Sequence, residues 1–112
     1  MNEYNLSNVK KDEILVCSWG WEQTNVDFFQ VVRTTAKSFW VRPISKKMVS
    51  APAAMEAYVK PVKDDFLSDD YCKSIYGKKV IRKLKKNYVE MGESRGLMTR
   101  YNGQAELETS YA

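Results

Sequence analysis

Histidine is absent from this 112-residue chain. Its absence removes the commonest general acid–base, the usual nucleophile triads and most zinc chemistry. Cysteine is scarce, with only Cys17 and Cys72 present. Two distant thiols without histidine do not make a zinc site, and nothing in their placement argues for a disulfide. Cys17 ends the apolar run Ile14-Leu15-Val16-Cys17, where it reads as a small core residue. No stretch approaches the roughly 20 apolar residues that span a bilayer. The opening Met1-Asn2-Glu3-Tyr4-Asn5-Leu6 has neither the basic start nor the apolar run of a signal peptide. A cytoplasmic location with reduced thiols is expected, and no membrane partner. Glycine-rich phosphate loops are missing too. Gly92-Glu93-Ser94-Arg95-Gly96 is not followed by a helical pattern and reads as a loop.

The length fits a single domain over residues 1–112, with residues 1–12 a loose polar lead-in. A hydrophobic content of 44% and a charged content of 29% are those of a globular protein. The formal charge is +4, unevenly spread. Met1 to Asp27 carries two lysines against five acids, net −3, whereas Lys78 to Arg100 carries eight basic residues against two acids, net +6. Such polarity points to an anionic partner.

Along the chain, β-prone runs dominate. Ile14 to Trp19 and Val26 to Thr34 are dense in apolar, aromatic and β-branched residues, separated by Gly20 and the turn-prone Gln23-Thr24-Asn25. Ser38 to Ile44 follows across a link short enough for a hairpin. Phe39, Val41 and Pro43 fall on one face, and Pro43 should end the strand or mark an edge. Ala51 to Tyr58 reads as a short helical turn opened by Pro52. Tyr58 to Val62 is extended, and Lys63 to Gly77 turn-rich. Lys78 to Lys86 suits either a basic amphipathic helix or a strand, its shortness favouring strand. Tyr88 to Met91, Leu97 to Tyr101 and Ala105 to Thr109 are further strands, with Asn102-Gly103 as a hairpin turn between the last two. Together these predict a mainly β domain, an antiparallel barrel or sandwich with at most one or two short helices. An SH3-like barrel is among the alternatives.

No catalytic constellation emerges, so the chain is read as a binding protein rather than an enzyme, with no cofactor and no metal. Asp64-Asp65 and Asp69-Asp70 form the densest carboxylate group. A Mg²⁺ site for metal-assisted hydrolysis is one reading, but the spacing matches no calcium loop, and a solvated acidic loop accounts for it better. Candidate nucleic-acid contacts are Lys78, Lys79, Arg82, Lys83, Lys85 and Lys86, which together can neutralise several phosphates. Trp19, Trp21, Phe28, Phe29, Phe39, Trp40 and Tyr101 are numerous enough to offer stacking platforms, although aromatics in a small β protein mostly fill the core.

The densest polar–aromatic stretch is Ser18-Trp19-Gly20-Trp21-Glu22-Gln23-Thr24-Asn25-Val26-Asp27-Phe28-Phe29. With Ile14-Leu15-Val16-Cys17 before it and Gln30-Val31-Val32 after it, this resembles a family of small proteins of bacteriophages, prophages and conjugative plasmids. The usual family form has Tyr for Trp21, Asp for Glu22 and Tyr for Phe29. The ending is similar as well: Tyr101-Asn102-Gly103, then Thr109-Ser110-Tyr111-Ala112. The likeness covers roughly the first and last thirds, and Met48 to Gly77 is unmatched. The resemblance implies a mobile-element accessory protein in a bacterial host. It would be an inhibitor of host defence, of anti-CRISPR or anti-restriction type, whose partner is a host or phage protein such as a defence nuclease complex.

The residues of the stretch allow two roles. Ser18, Gln23, Thr24, Asn25 and Asp27 either brace the turn through side-chain to backbone bonds, or join Trp19 and Trp21 in a recognition surface. Trp19, Trp21, Gln23, Asn25 and Asp27 are therefore the candidate partner-binding residues, expected where the stretch meets the basic late segment.

Overall fold

The computed structural model describes residues 9–19, 24–36, 38–77, 80–83, 89–90 and 97–109. Its centre is built from the two apolar runs. Ile14–Trp19 (β1) and Asn25–Thr34 (β2) pair antiparallel, with Leu15 opposite Phe29 and Val16 opposite Phe28. Leu15, Val16 and Cys17 are all buried, as are Phe28, Phe29, Gln30 and Val31. Side chains alternate between the two faces of a strand, so consecutive buried residues mean that both faces are covered. One core gathers Leu15, Cys17, Phe29, Val31, Phe39 and Val41, with Val9 against it. The other gathers Val16, Val26, Phe28, Ile44 and Val59, flanked by Phe66 and Tyr101.

Phe39–Ser50 (β3) pairs with β2 along one edge. Its other edge is shared by Glu56–Phe66 (β4) and by Ile81–Lys83 (β5), which takes Phe39 to Val41. The helix Asp69–Tyr76 (α1) follows β4. Val89–Glu90 (β6), Leu97–Arg100 (β7) and Glu106–Thr109 (β8) complete the sheet, in the order β6-β7-β1-β2-β3-β4-β8 with β5 on β3. The fold is therefore mainly antiparallel β with one short helix, as expected. The sheet curls into a half-barrel, because β8 at the end of that order returns to β2. Thr109 N–H donates to the Thr24 carbonyl at 3.0 Å, and Thr24 N–H donates to Thr109 Oγ1 at 2.9 Å. Among the described residues no helix is long and apolar enough to cross a membrane.

Several local expectations are corrected. Strand β3 does not end at Pro43 but runs on to Ser50. The Pro43 carbonyl accepts from Leu67 N–H at 3.1 Å, away from β2. Its nitrogen faces the same way, toward the gap between β5 and β4, where no strand needs a donor. Residues 51–55 form no helix. They connect β3 to β4, and Met55 takes a left-handed φ of 65° that a helix excludes. Long-range pairing of β3 with β4 overrides the alanine propensity there. The Lys63 to Gly77 region is not a solvated acidic loop, because Asp64 and Asp65 lie in β4 while Asp69 and Asp70 open α1. Asn102-Gly103 does bend the chain, with Gly103 at φ 89°, yet no hairpin forms. Strand β7 pairs with β1 and β8 with β4. Of the two readings of Lys78 to Lys86, strand holds for Ile81–Lys83. Val9 and residues 12–13 are tied to the fold, with Asp12 N–H on the Val31 carbonyl at 2.7 Å and Val31 N–H on the Glu13 carbonyl at 2.9 Å.

Candidate functional site

Where β2 and β3 diverge toward α1, the surface opens into a cleft of about 240 Å³. Phe28, Pro43, Ile44 and Leu67 contribute to its largely apolar walls, and Asp27 places a carboxylate on them. Tyr71, 45% exposed on the first turn of α1, forms part of the rim. That helix starts where it does because Ser68 Oγ accepts from Tyr71 N–H at 3.2 Å, with Asp69 and Asp70 in the first turn favoured by the helix dipole. It stops at Gly77, whose φ of 75° permits the left-handed cap. The Arg42 guanidinium ties α1 to β3 by reaching Asp69 at 2.9 Å while lying over the Phe66 ring.

Two polar constructions hold the walls. Lys46 on the cleft lining bonds Glu108 of β8 and donates to the Val26 carbonyl at 2.7 Å; Glu108 accepts from Val26 N–H at 3.1 Å. An ion pair thus serves both backbone groups of Val26 in place of a neighbouring strand. Gln30, 1% exposed, is the second. Its Oε1 accepts from Asp64 N–H at 2.8 Å, and its Nε2 donates to Asp64 Oδ1 at 2.8 Å and Asp12 Oδ1 at 3.2 Å. Asp64 reaches it because β4 is bulged. Ile44 pairs with Phe66 but Lys46 with Pro61, and Asp64 takes a φ of 66° in between.

The sequence candidates divide. Trp19 and Asn25 pair across the open end of β1–β2, Asn25 half-buried, and Asp27 lines the cleft. Trp21 and Gln23 lie outside the described residues, as do Lys78, Lys79, Lys85 and Lys86. Arg82 and Lys83 sit in β5, in register with Trp40 and Phe39. Of the basic late segment, β7 pairs with β1 up to Cys17 opposite Met98, beside Ser18 and Trp19, whereas the strand that carries Arg82 and Lys83 does not reach Asn25. Strand β5 lies across β3 from the far end of β2, about 25 Å along the strand from Asn25. Phe28, Phe29 and Phe39 are buried, which makes them core and not stacking platforms. At Thr24 it is the backbone that bonds Thr109 of β8, and not the Thr24 side chain bracing the turn. The Ser18 to Phe29 stretch and strand β8 therefore meet in space. The acids offered for a Mg²⁺ site are apart in use, Asp64 on Gln30 and Asp69 on Arg42. No group of three or more metal-type ligands is found among the described residues.

Sequence reasoning missed Tyr71, Lys46, Glu108 and Gln30. A glutamine inside Phe28-Phe29-Gln30-Val31-Val32 was the available signal, since a polar side chain in an all-buried run needs fixed partners. The pairing of Lys46 with Glu108 has no local signature. Comparison with family models, with curated proteins and with solved structures found no match for the chain.

Proposed function

We propose that the chain is a non-enzymatic binding protein of a phage or other mobile element that occupies a host protein of a defence system through the cleft between β2–β3 and α1. The cleft carries this reading. Its volume is below the range usual for small-molecule and cofactor sites and matches one anchoring side chain of a partner. Its apolar walls with an exposed tyrosine at the rim have the composition of an interface centre. The resemblance of Ile14 to Val32 to phage and plasmid proteins supplies the class of partner.

The test expresses the chain in bacteria protected by CRISPR or restriction systems, challenges them with phage, and captures bound proteins with and without nuclease. Protection should fall against at least one system, and a defence protein should be captured in both samples. Tyr71→Ala should abolish both effects without lowering the melting temperature. Unchanged protection across the panel, or capture that vanishes with nuclease, overturns the reading.

A further inference from the structure

The β3–β4 hairpin ends in a tip without charge. Met48-Val49-Ser50-Ala51-Pro52-Ala53-Ala54-Met55 holds no ionisable side chain and a single hydroxyl. All of these residues are exposed, Met48 to 64% and Met55 to 54%. The turn is also strained. Glu56 N–H donates to the Ala53 carbonyl at 3.2 Å, and Met55, in the third position of the turn, takes a left-handed φ of 65°. Glycine or asparagine ordinarily fills such a position, and a bulky residue there costs free energy. An exposed methionine recovers none of that by packing, so the fold itself gives no reason for it. Behind the tip the sheet is layered. Side chains two apart on a strand share a face, and so do residues paired across strands. Ser50, Tyr58 and Leu107 therefore form one row on the outer face, with Tyr58 and Leu107 exposed. Lys47 and Lys60, paired directly and both exposed, form the next row. Like charges set opposite each other oppose sheet formation, and neither lysine has an ion-pair partner among the described residues. Glu106 and Glu108 pair with Val59 and Ala57 and so belong to the inner face; half-buried Glu56 is the acid on the outer face of β4 near the tip.

We propose that this hairpin docks on an anionic lipid surface, the tip entering the boundary between headgroups and acyl chains and the lysine row lying among the phosphates. An exposed apolar patch beside like charge fits such a surface, and the dimensions agree. Five residue steps of strand lead from Met55 to Lys60, about 17 Å at strand rise. An interfacial element sinks about 5–10 Å into that boundary, and the headgroup layer adds about 5–8 Å on each side of the hydrocarbon. Lys60 therefore reaches the phosphates when the tip is seated. Tyr58, about 10 Å behind Met55, falls at the headgroup level, where tyrosine is favoured. A protein pocket is read by hydrogen bonds as well as by shape, and the tip offers no polar side chain for them beyond Ser50. A lipid boundary asks for none. Neither the tip nor the two rows behind it line the cleft, so this surface does not depend on the protein-binding reading. It departs from the expectation of no membrane partner, which rested on the lack of a spanning run and of a signal peptide, because docking at a lipid surface needs neither.

Flotation of the chain with vesicles of phosphatidylcholine alone, and of phosphatidylcholine mixed with phosphatidylglycerol, each over a salt series, tests it. The mixed vesicles should carry the protein at low salt, release it as salt rises, and bind it more tightly than the neutral ones. Met55→Gly should lower the partition about tenfold while the melting temperature holds or rises, since glycine accepts the left-handed φ. Lys47→Gln with Lys60→Gln should lower it about 25-fold on the mixed vesicles alone, about fivefold for each lysine. No flotation at the lowest salt, neutral vesicles bound as tightly as mixed ones, or a folded Met55→Gly variant with unaltered partition overturns the proposal. So does a dimer of the free chain that Met55→Gly dissociates, because a second copy then covers the tip.

Discussion

Gln30 is fixed by three hydrogen bonds between two aspartates, and removing its amide strands all of them. Gln30→Leu leaves Asp64 N–H without its acceptor and two carboxylates without their shared donor. The freed groups of Asp12 and Asp64 sit on exposed residues that water can reach, so each lost hydrogen bond costs about 0.5–1.5 kcal/mol, and the urea midpoint should fall accordingly at an unchanged slope. Gln30→Glu does worse in a pH-dependent way. A third carboxylate between Asp12 and Asp64 holds its proton above the ordinary glutamate value, because neighbouring like charge and burial disfavour its ionised form. The folded variant then binds more protons than the unfolded one, so its deficit against the parent grows as pH rises through the interval between the two values. Urea melts in mildly acidic and neutral buffer check this, and an equal deficit in both would refute it. Two other groups set an alkaline limit for the native protein. Burial pushes the Cys72 thiol up, and burial, with Glu106 assisting, does the same to the Tyr101 phenol, which meets Phe28 edge-on at 5.4 Å. Above the unfolded values, about 8.5 and 10, the unfolded chain releases protons that the folded chain keeps, and stability falls as pH rises. Cys72→Ala should flatten the onset of that fall and Tyr101→Phe its upper part, both read from melting temperature against pH.

At the scale of elements, β8 is held to β2 by the Thr109–Thr24 exchange and the Lys46–Glu108 pair. The pair is partly exposed, so its coupling in a double-mutant cycle of Lys46→Met and Glu108→Gln should be small, about 1 kcal/mol or less. Glu108→Ala should cost more than Glu108→Gln, since only the latter keeps an acceptor for Val26 N–H. Equal losses would show that the backbone of Val26 finds water instead. What was legible in sequence at this scale follows the same logic of who needs a distant partner. Strands β1 and β2 announced themselves because a doubly covered strand is a continuous apolar run, and the turn between β2 and β3 because it is short. Pro43 misled because its position in the ladder, facing a gap between two outer strands, depends on where β4 and β5 dock. The helix α1 was readable from Ser68 as cap, Asp69 and Asp70 in the first turn and Gly77 as stop. The acidic pairs drew attention to carboxylate chemistry and away from those signals. The pairing of Arg33 with Trp40 could not be read, because one extra residue in β2 decides which side chains share a face.

For the whole molecule, the charge polarity of the chain is partly cancelled by the fold. Strand β7 of the basic late segment pairs with β1 of the acidic beginning, and Arg100 reaches Glu13 at 3.2 Å. Arg33, over the Trp40 ring, stands at one end of β2, whereas the cleft lies at the Asp27 end. Six residue steps of strand lead from Asp27 to Arg33, about 20 Å at strand rise, and neither Arg33 nor Trp40 lines the cleft. Changes farther apart than about 10 Å with no shared partner add in free energy. Tyr71→Ala should therefore lower capture of a host protein, while Arg33→Gln should leave that capture untouched. The capture loss of Tyr71→Ala should also persist unchanged in the double variant, to within about 0.5 kcal/mol. Should Arg33→Gln weaken capture by a factor similar to that of Tyr71→Ala, the two ends belong to one continuous surface, and the partner bridges the length of β2.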